Sequence, residues 1–358
     1  MQMTLNRHQT LGLISSVGHL RTTLIEGDTG CGKSAFLNDL AARFPTHTMC
    51  YADCTTKDVG DFLVPKIATI GDSDVVHFAV NEELGVHLGT HVVIMVDELG
   101  KANKSVKNAL LRLMLERKIG THTLHPDSIV FATTNLGAEG LGDSLPAHAR
   151  NRICTVRMRK PTNIEWLESF AIPNGLDVSV MGWVQDNPQL FDSFTDVPNP
   201  ADNPYIYHPQ SMEAAFVTPR SLHAASDILQ QCSALDSYTV EAALVGTIGA
   251  RGAHDLMAFV TLAADLPTQA VIHAKPDTAP VPTSTAAQCM VVFRALSSIT
   301  YEHIDAWMVY LRRLPTEMQA MFVNGARSKN YAKRDVVFRS KQFMQWANDN
   351  TDLFTADV

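Results

Sequence analysis

The sequence has no unbroken apolar run approaching the ~18–20 residues that a membrane-spanning helix needs. No membrane insertion is therefore expected. Its first residues, Met1-Gln2-Met3-Thr4-Leu5-Asn6-Arg7, lack the basic-then-apolar profile of a secretory signal. The expectation is a soluble, cytoplasmic protein. Positive charge is in deficit: 29 Lys and Arg stand against 37 Asp and Glu, a formal net charge of −8. Proteins that grip duplex DNA with their whole surface are usually basic, so that class is disfavoured, while a local basic channel is not. The cysteines Cys31, Cys50, Cys54, Cys154, Cys232 and Cys289 are scattered. Cys50 and Cys54 are close, but no second Cys or His pair completes a zinc site. Thiols in a reducing compartment are expected. Internal repeats are also lacking.

What remains is the composition of a globular protein, 46% hydrophobic and 18% charged over 358 residues. At roughly 100–200 residues per domain, that length suggests two or three domains. Residues 21–26 are β-prone and run into a glycine loop. The period then changes: Phe36, Leu37, Leu40, Ala41 and Phe44 fall at helical spacing, and Pro45 closes the segment. A further strand is predicted near Thr46–Ala52. Val92-Val93-Ile94-Met95-Val96 reads as a strand covered on both faces. A helix over 104–118 follows, with Val106, Ala109, Leu110, Leu113 and Met114 on one stripe. Strands are predicted again at 129–134 and 153–158. Strands alternating with helices imply a mostly parallel α/β sheet. From 161 the signals are mainly helical, broken by a loop at 195–210 and by a Pro-rich linker at 272–288. The tail from 289 is helical, with Ile304, Trp307, Met308 and Leu311 on one face.

The chemistry concentrates in a few places. Gly27-Asp28-Thr29-Gly30-Cys31-Gly32-Lys33-Ser34 is a phosphate-binding loop between a strand and a helix. Its glycines let backbone N–H groups turn toward phosphate oxygens, and the helix adds its positive end. Lys33 is placed to reach β- and γ-phosphates, and Ser34 to coordinate Mg2+. Cys31 is either an inert small residue or a thiol activated by the helix end. Asp97-Glu98 directly follows the apolar strand, at the crevice where α/β folds bind ligands. Asp97 fits a Mg2+ partner and Glu98 a general base for an attacking water. Asn135 ends another apolar strand and could position that water, although an Asn there also suits a simple turn. Arg150 and Arg152 precede the last strand, where an arginine can neutralise charge on a γ-phosphoryl group, in cis or from a neighbouring subunit. Thr218-Pro219-Arg220-Ser221 reads as a helix start that would aim Arg220 from the helical region.

In this order, the loop, the acidic pair, Asn135, Arg150 or Arg152, and Arg220 resemble an AAA+ ATPase over roughly residues 10–265. Within that superfamily the chain looks most like the MoxR group of CbbQ- and NorQ-type chaperones. Asp58-Val59-Gly60-Asp61, Val96-Asp97-Glu98-Leu99-Gly100-Lys101-Ala102, Ala109-Leu110-Leu111 to Glu116-Arg117-Lys118, and Phe131-Ala132-Thr133-Thr134-Asn135 are the stretches that resemble it. Leu99-Gly100 stands where that group more usually has Ile-Asn.

The resemblance implies a three-layer α/β/α P-loop domain over 1–160 and a helical lid over 161–271; the linker over 272–288 and the helical tail over 289–358, a candidate partner-docking module, have no counterpart in the compact MoxR core. It implies ATP and Mg2+ as ligands, with Gly27 to Ser34 and Asp97 binding them, Glu98 as base, Asn135 as γ-phosphate sensor, and Arg220 touching nucleotide from the lid. Arg152, directly before its strand, is the first choice for the finger, and Arg150 the second. Hairpins near 62–81 and 119–127 would face a pore or client. The implied assembly is a hexamer that remodels a protein client, often beside a von Willebrand factor A-domain partner. A nucleic-acid motor or loader of the same fold is the alternative. A non-hydrolysing scaffold is disfavoured by the presence of Lys33, Asp97 and Glu98. The basic residues Arg327, Lys329, Lys333, Arg334, Arg339 and Lys341 are either a nucleic-acid contact or a solvated face.

Overall fold

The structure is a computed structural model that describes residues 3–137, 145 and 147–351. It divides into two compact units, Met1–Lys160 and Pro161–Val358.

The first unit is organised by parallel strands, each rich in apolar residues because both faces are covered. They are β1 (Thr4–Leu5), β2 (Thr23–Gly27), β3 (Thr48–Asp53), β6 (Val92–Asp97), β9 (Ile129–Asn135) and β10 (Cys154–Met158). Two antiparallel hairpins lie outside the sheet, β4 (Leu63–Ile70) with β5 (Ser73–Val80), and β7 (Lys118–Ile119) with β8 (His122–Thr123). The sheet order is β1-β10-β2-β9-β6-β3, parallel throughout. Alternation along the strands builds two cores. Ile94 and Val96 face Val106, Leu110 and Leu113 of helix α3 (Lys104–Glu116). Val93, Met95 and Phe131 pack with Ile14 of helix α1 (Arg7–Val17) and with Phe36 and Leu40 of helix α2 (Phe36–Arg43). The result is a three-layer α/β/α sandwich. Each fully buried Leu or Phe contributes about 2–3 kcal/mol through area removed from water.

Register levels the carboxyl ends of the central strands. Gly27 pairs with Asn135, Val96 with Ala132, and Asp53 with Asp97. The loop after β2 therefore meets the last residues of β6 and β9.

The second unit is helical. Its main helices are α4 (Val178–Asp186), α5 (Pro219–Gln231), α6 (Ser237–Ala264), α7 (Thr285–Ser298), α8 (Ile304–Leu311), α9 (Thr316–Arg327) and α10 (Lys341–Asp349). Trp183, Leu222, Leu244, Met290, Phe293, Trp307, Phe322 and Trp346 close one core, so helices on both sides of residues 272–288 share it. The Tyr310 hydroxyl donates to the Pro280 carbonyl at 2.6 Å and pins that stretch. Ile304, Trp307, Met308 and Leu311 are all buried. Part of the basic cluster is structural. Lys333 donates to the Ser297 carbonyl, Arg334 lies 5.4 Å over the Phe338 ring, and Arg339 pairs with Asp335 at 3.4 Å.

Although no unbroken apolar run reaches spanning length, Ser237–Ala274 is long and apolar enough on average to cross a membrane by length and composition. Charged residues, Glu241, Arg251 and Asp255 among them, interrupt the run, and the apolar residues between them keep its mean hydropathy high. Within α6 the backbone breaks at Gly249, with φ of +81°, and Val240, Leu244, Ile248 and Leu256 enter the core of this unit.

Candidate functional site

The glycine loop after β2 turns through left-handed backbone at Gly30 (φ +67°) and Gly32 (φ +92°), conformations that cost an L-residue with a Cβ about 1–2 kcal/mol. Lys33 opens a short 3-10 turn that leads into α2. Lys33 is only 6% exposed. Its Nζ donates to the Gly27 carbonyl (2.9 Å), the Asp28 carbonyl (2.8 Å) and Asn135 Oδ1 (2.8 Å). All three of its protons are thus engaged.

Asp97, at the end of β6, is 5% exposed and fully satisfied. It accepts from Ser34 Oγ (3.0 Å), the Tyr51 hydroxyl (3.0 Å), Thr133 Oγ1 and the Glu98 backbone N–H (3.1 Å). Partial burial and then this carboxylate raise the Tyr51 phenol above its ordinary value. Glu98 sits in left-handed backbone, φ +53° and ψ +37°, a conformation unusual for a residue with a long side chain. Its surroundings hold it there. The Glu98 N–H also reaches Thr133 Oγ1 (3.3 Å), and its carboxylate accepts from Asn135 Nδ2 at 3.2 Å to each oxygen and pairs with Lys101 at 3.2 Å. Such strain persists where the rest of the structure overdetermines it.

The donors suit a phosphate chain with Mg2+. Ser34 Oγ and Asp97 Oδ2 are 3.0 Å apart. Adjacent oxygens on an octahedral Mg2+ stand about 2.9 Å apart, and Mg2+ fills its remaining positions with water and phosphate oxygens. The loop supplies the backbone N–H groups and Lys33 the charge.

Residues 22–147 match the family described as AAA domain (dynein-related subfamily). The N-terminal unit has the AAA+ P-loop fold. No curated protein matches the chain. Among solved structures the chain is similar to Hsp104 in its closed state with ATPγS and FITC-casein, at 20% identity over 40% of this chain and 30% of that one, TM-score 0.29. It is similar to the RuvB Holliday junction branch migration motor of Thermotoga maritima, at 14% identity over 71% of this chain and 68% of that one, TM-score 0.34. It is also similar to a Cytophaga hutchinsonii protein described as an ATPase, at 14% identity over 68% and 81%, TM-score 0.34.

Within the N-terminal unit, side-chain hydrogen bonds join Lys33 to Asn135 to Glu98 and Ser34 to Asp97, and the Glu98 backbone N–H donates to Asp97 and links the two. Cys31 is buried beside Lys33, its Sγ 3.9 Å from Nζ. Asp28 is buried as well. Arg150 ends a short helix, Ala147–Arg150, and Arg152 lies in the turn before β10; both side chains are exposed. Arg220 belongs to the second unit, on the first turn of α5, exposed, where Thr218 and Ser221 form a capping box.

Sequence reasoning passed over four residues that shape the site. Tyr51 and Thr133 clamp Asp97. Lys101 pairs with Glu98. Arg7 donates to the Gly32 carbonyl (3.0 Å), pairs with Asp39 and lies 5.0 Å over the Phe36 ring, bracing the loop against α2. The signal for Lys101 was the i,i+3 spacing from Glu98. The others are brought in by the pairing of strands and by α1.

Proposed function

We propose that this chain is a ring-forming ATPase of the MoxR type that couples hydrolysis of ATP to remodelling of a protein client. The observation that carries this reading is the single amide of Asn135, which accepts from the phosphate-binding lysine and donates to the candidate base Glu98. In this reading Lys33 and the loop N–H groups hold the phosphates, and Ser34 and Asp97 hold Mg2+, which would polarise the phosphates. Glu98 takes a proton from water as its oxygen attacks the γ-phosphorus, and the β,γ-bridging oxygen leaves with ADP. Asn135 keeps Glu98 in line. Arg152, or Arg150, reaches the site of the neighbouring subunit.

A protein client is favoured over nucleic acid by the β4–β5 hairpin. It exposes Val64, Ile67, Ile70, Val75 and Val76, with Ile67 77% exposed. Apolar side chains presented to solvent suit another polypeptide rather than a phosphate backbone. The net charge of −8 points the same way. A partner with a von Willebrand factor A domain, and a cytoplasmic setting, are carried by the MoxR-like stretches alone.

The test is Glu98→Gln. The amide keeps the size of the side chain but accepts no proton at neutral pH. The variant is expected to bind ATP with affinity close to wild type, to assemble into an ATP-dependent hexamer by sedimentation, and to hydrolyse at least ~100-fold more slowly, the usual scale for a general base. Wild-type turnover overturns the assignment of the base, and a monomer with ATP bound overturns the ring.

A further inference from the structure

The strands that present the nucleotide site at their carboxyl ends bring a second set of residues together at their amino ends. His47 directly precedes β3, His91 directly precedes β6, and His125 and Asp127 stand just before β9. These strands are neighbours in the sheet and parallel, so the segments leading into them converge on the edge opposite Asp97, Glu98 and Asn135. Backbone bonds fix the convergence. Thr48 N–H donates to the His91 carbonyl (3.1 Å), Ser128 N–H to the His125 carbonyl (2.9 Å), and Val92 N–H to Ser128 Oγ (3.2 Å).

The side chains meet as a group. The His91 and His125 rings lie 4.4 Å apart between centroids, and the His47 and His91 rings 5.2 Å. One ligand atom from each of His91, His125 and Asp127 falls within 4.8 Å of the others. His125 Nδ1 and an Asp127 carboxylate oxygen are 3.8 Å apart. His47 Nε2 lies 3.2 Å from the Asp127 carbonyl and steadies the turn that presents the carboxylate. None of these residues has a part in the nucleotide chemistry.

We propose that His91, His125 and Asp127 form a site for a divalent transition-metal ion of the Zn2+ type, with water in the open position and His47 as a positioning residue. Two imidazoles and a carboxylate are a donor set that zinc takes, and imidazole separates such ions from Mg2+ and Ca2+, which prefer oxygen. Ligand atoms bound tetrahedrally at 2.0–2.1 Å stand about 3.4 Å from one another. The observed spacing therefore needs a closure of about 1.5 Å at most. The side chains able to make it are on the surface: that of Asp127 is 68% exposed and that of His125 33%. A bound ion would tie together the segments before β6 and β9, and so stabilise the fold by mass action. The nucleotide site takes Mg2+ through oxygens, so the two sites divide hard and borderline cations between the two ends of one sheet.

The experiment uses the full chain, stripped with EDTA and kept reduced, titrated with Zn2+ by calorimetry in the presence of excess Mg2+. Wild type is expected to bind one Zn2+ per chain at this site and to gain several degrees in Tm. Asp127→Asn, at an exposed position that leaves packing intact, is expected to weaken binding at least tenfold. His91→Gln with His125→Gln is expected to abolish that equivalent while the Tm without metal stays close to wild type. Co2+ is expected to give ligand-field absorption bands in wild type that the double variant lacks. Equal Zn2+ stoichiometry and affinity in wild type and Asp127→Asn, or no binding by wild type, overturns the site. If the double variant fails to fold, Asp127→Asn decides alone.

Discussion

Asn135→Ala is the sharpest probe of the site, because the structure assigns this amide two jobs that can be separated. Its Oδ1 accepts from Lys33, and its Nδ2 donates to both oxygens of Glu98. Both partners are charged, and a hydrogen bond to a charged group is worth about 1.5–3 kcal/mol. Lys33 keeps two acceptors in the variant, the Gly27 and Asp28 carbonyls. Among the described residues, the Glu98 side chain keeps only Lys101, which is itself partly exposed. The loss should therefore fall on Glu98. Removing about 2–3 kcal/mol of orientation from the base lowers kcat about 30- to 150-fold, at 1.36 kcal/mol per factor of ten. ATP affinity should move by less than about fivefold, because an unchanged loop and lysine cost less than ~1 kcal/mol in binding. Asn135→Asp separates the jobs further, since its carboxylate still accepts from Lys33 but repels Glu98; it is expected to keep ATP binding and lose kcat. The assays are steady-state phosphate release and equilibrium binding of a fluorescent ATP analogue. If both variants turn over within threefold of wild type, Asn135 does not orient Glu98 and the argument from the shared amide fails.

Two further predictions concern stability. A Cβ on Gly18 would stand 2.4 Å from the Ile14 carbonyl oxygen and 2.7 Å from Ile129 Cγ2, so Gly18→Ala must shift backbone. Overpacking of this kind costs about 1–3 kcal/mol, which lowers Tm by roughly 3–10 °C for a unit of this size; a calorimetric Tm within 1 °C of wild type would refute the close approach. Burial pushes the thiols of Cys50 and Cys289 up to about 11 and that of Cys54 up to about 12, from an ordinary value of 9.0. The folded chain then holds protons that the unfolded chain loses, so this contribution is present below pH 9 and is lost as pH rises toward 11–12. At pH 8 a thiol reagent should modify half-buried Cys154 and Cys232 well before these three, and equal rates at all five positions would contradict the burial.

The fold was legible where parallel strands are covered on both faces. Val92 to Val96 must be apolar throughout because alternate residues enter different cores, and that leaves a run visible without any neighbour. The α1 helix escaped notice for the opposite reason. Only Thr10 and Ile14 of its eleven residues are buried, too few to write a helical stripe. The β4–β5 hairpin is mostly exposed, and its strands mix apolar and polar side chains without a clean alternation, so local pattern does not announce it. The averaged hydropathy within Ser237–Ala274 does not show as an unbroken run because charged residues such as Glu241, Arg251 and Asp255 punctuate it.

The site divides along the same line. Residues that act from the end of their own strand or loop, Lys33, Ser34, Asp97, Glu98 and Asn135, stand in short local motifs, and level strand ends bring those motifs together. Tyr51 and Thr133 are different, because their place beside Asp97 depends on which strands flank β6. Tyr51 comes from β3 on one side and Thr133 from β9 on the other, so β6 must be central for both hydroxyls to reach one carboxylate. The sheet order thus does chemical work. It gives a buried carboxylate two neutral donors, which leaves its charge intact while meeting its hydrogen-bonding needs. It also sets Thr133 where its hydroxyl touches the Glu98 N–H and holds that residue in left-handed backbone. The orientation of Glu98 is consequently secured from β9 twice over, through Thr133 at its backbone and Asn135 at its side chain.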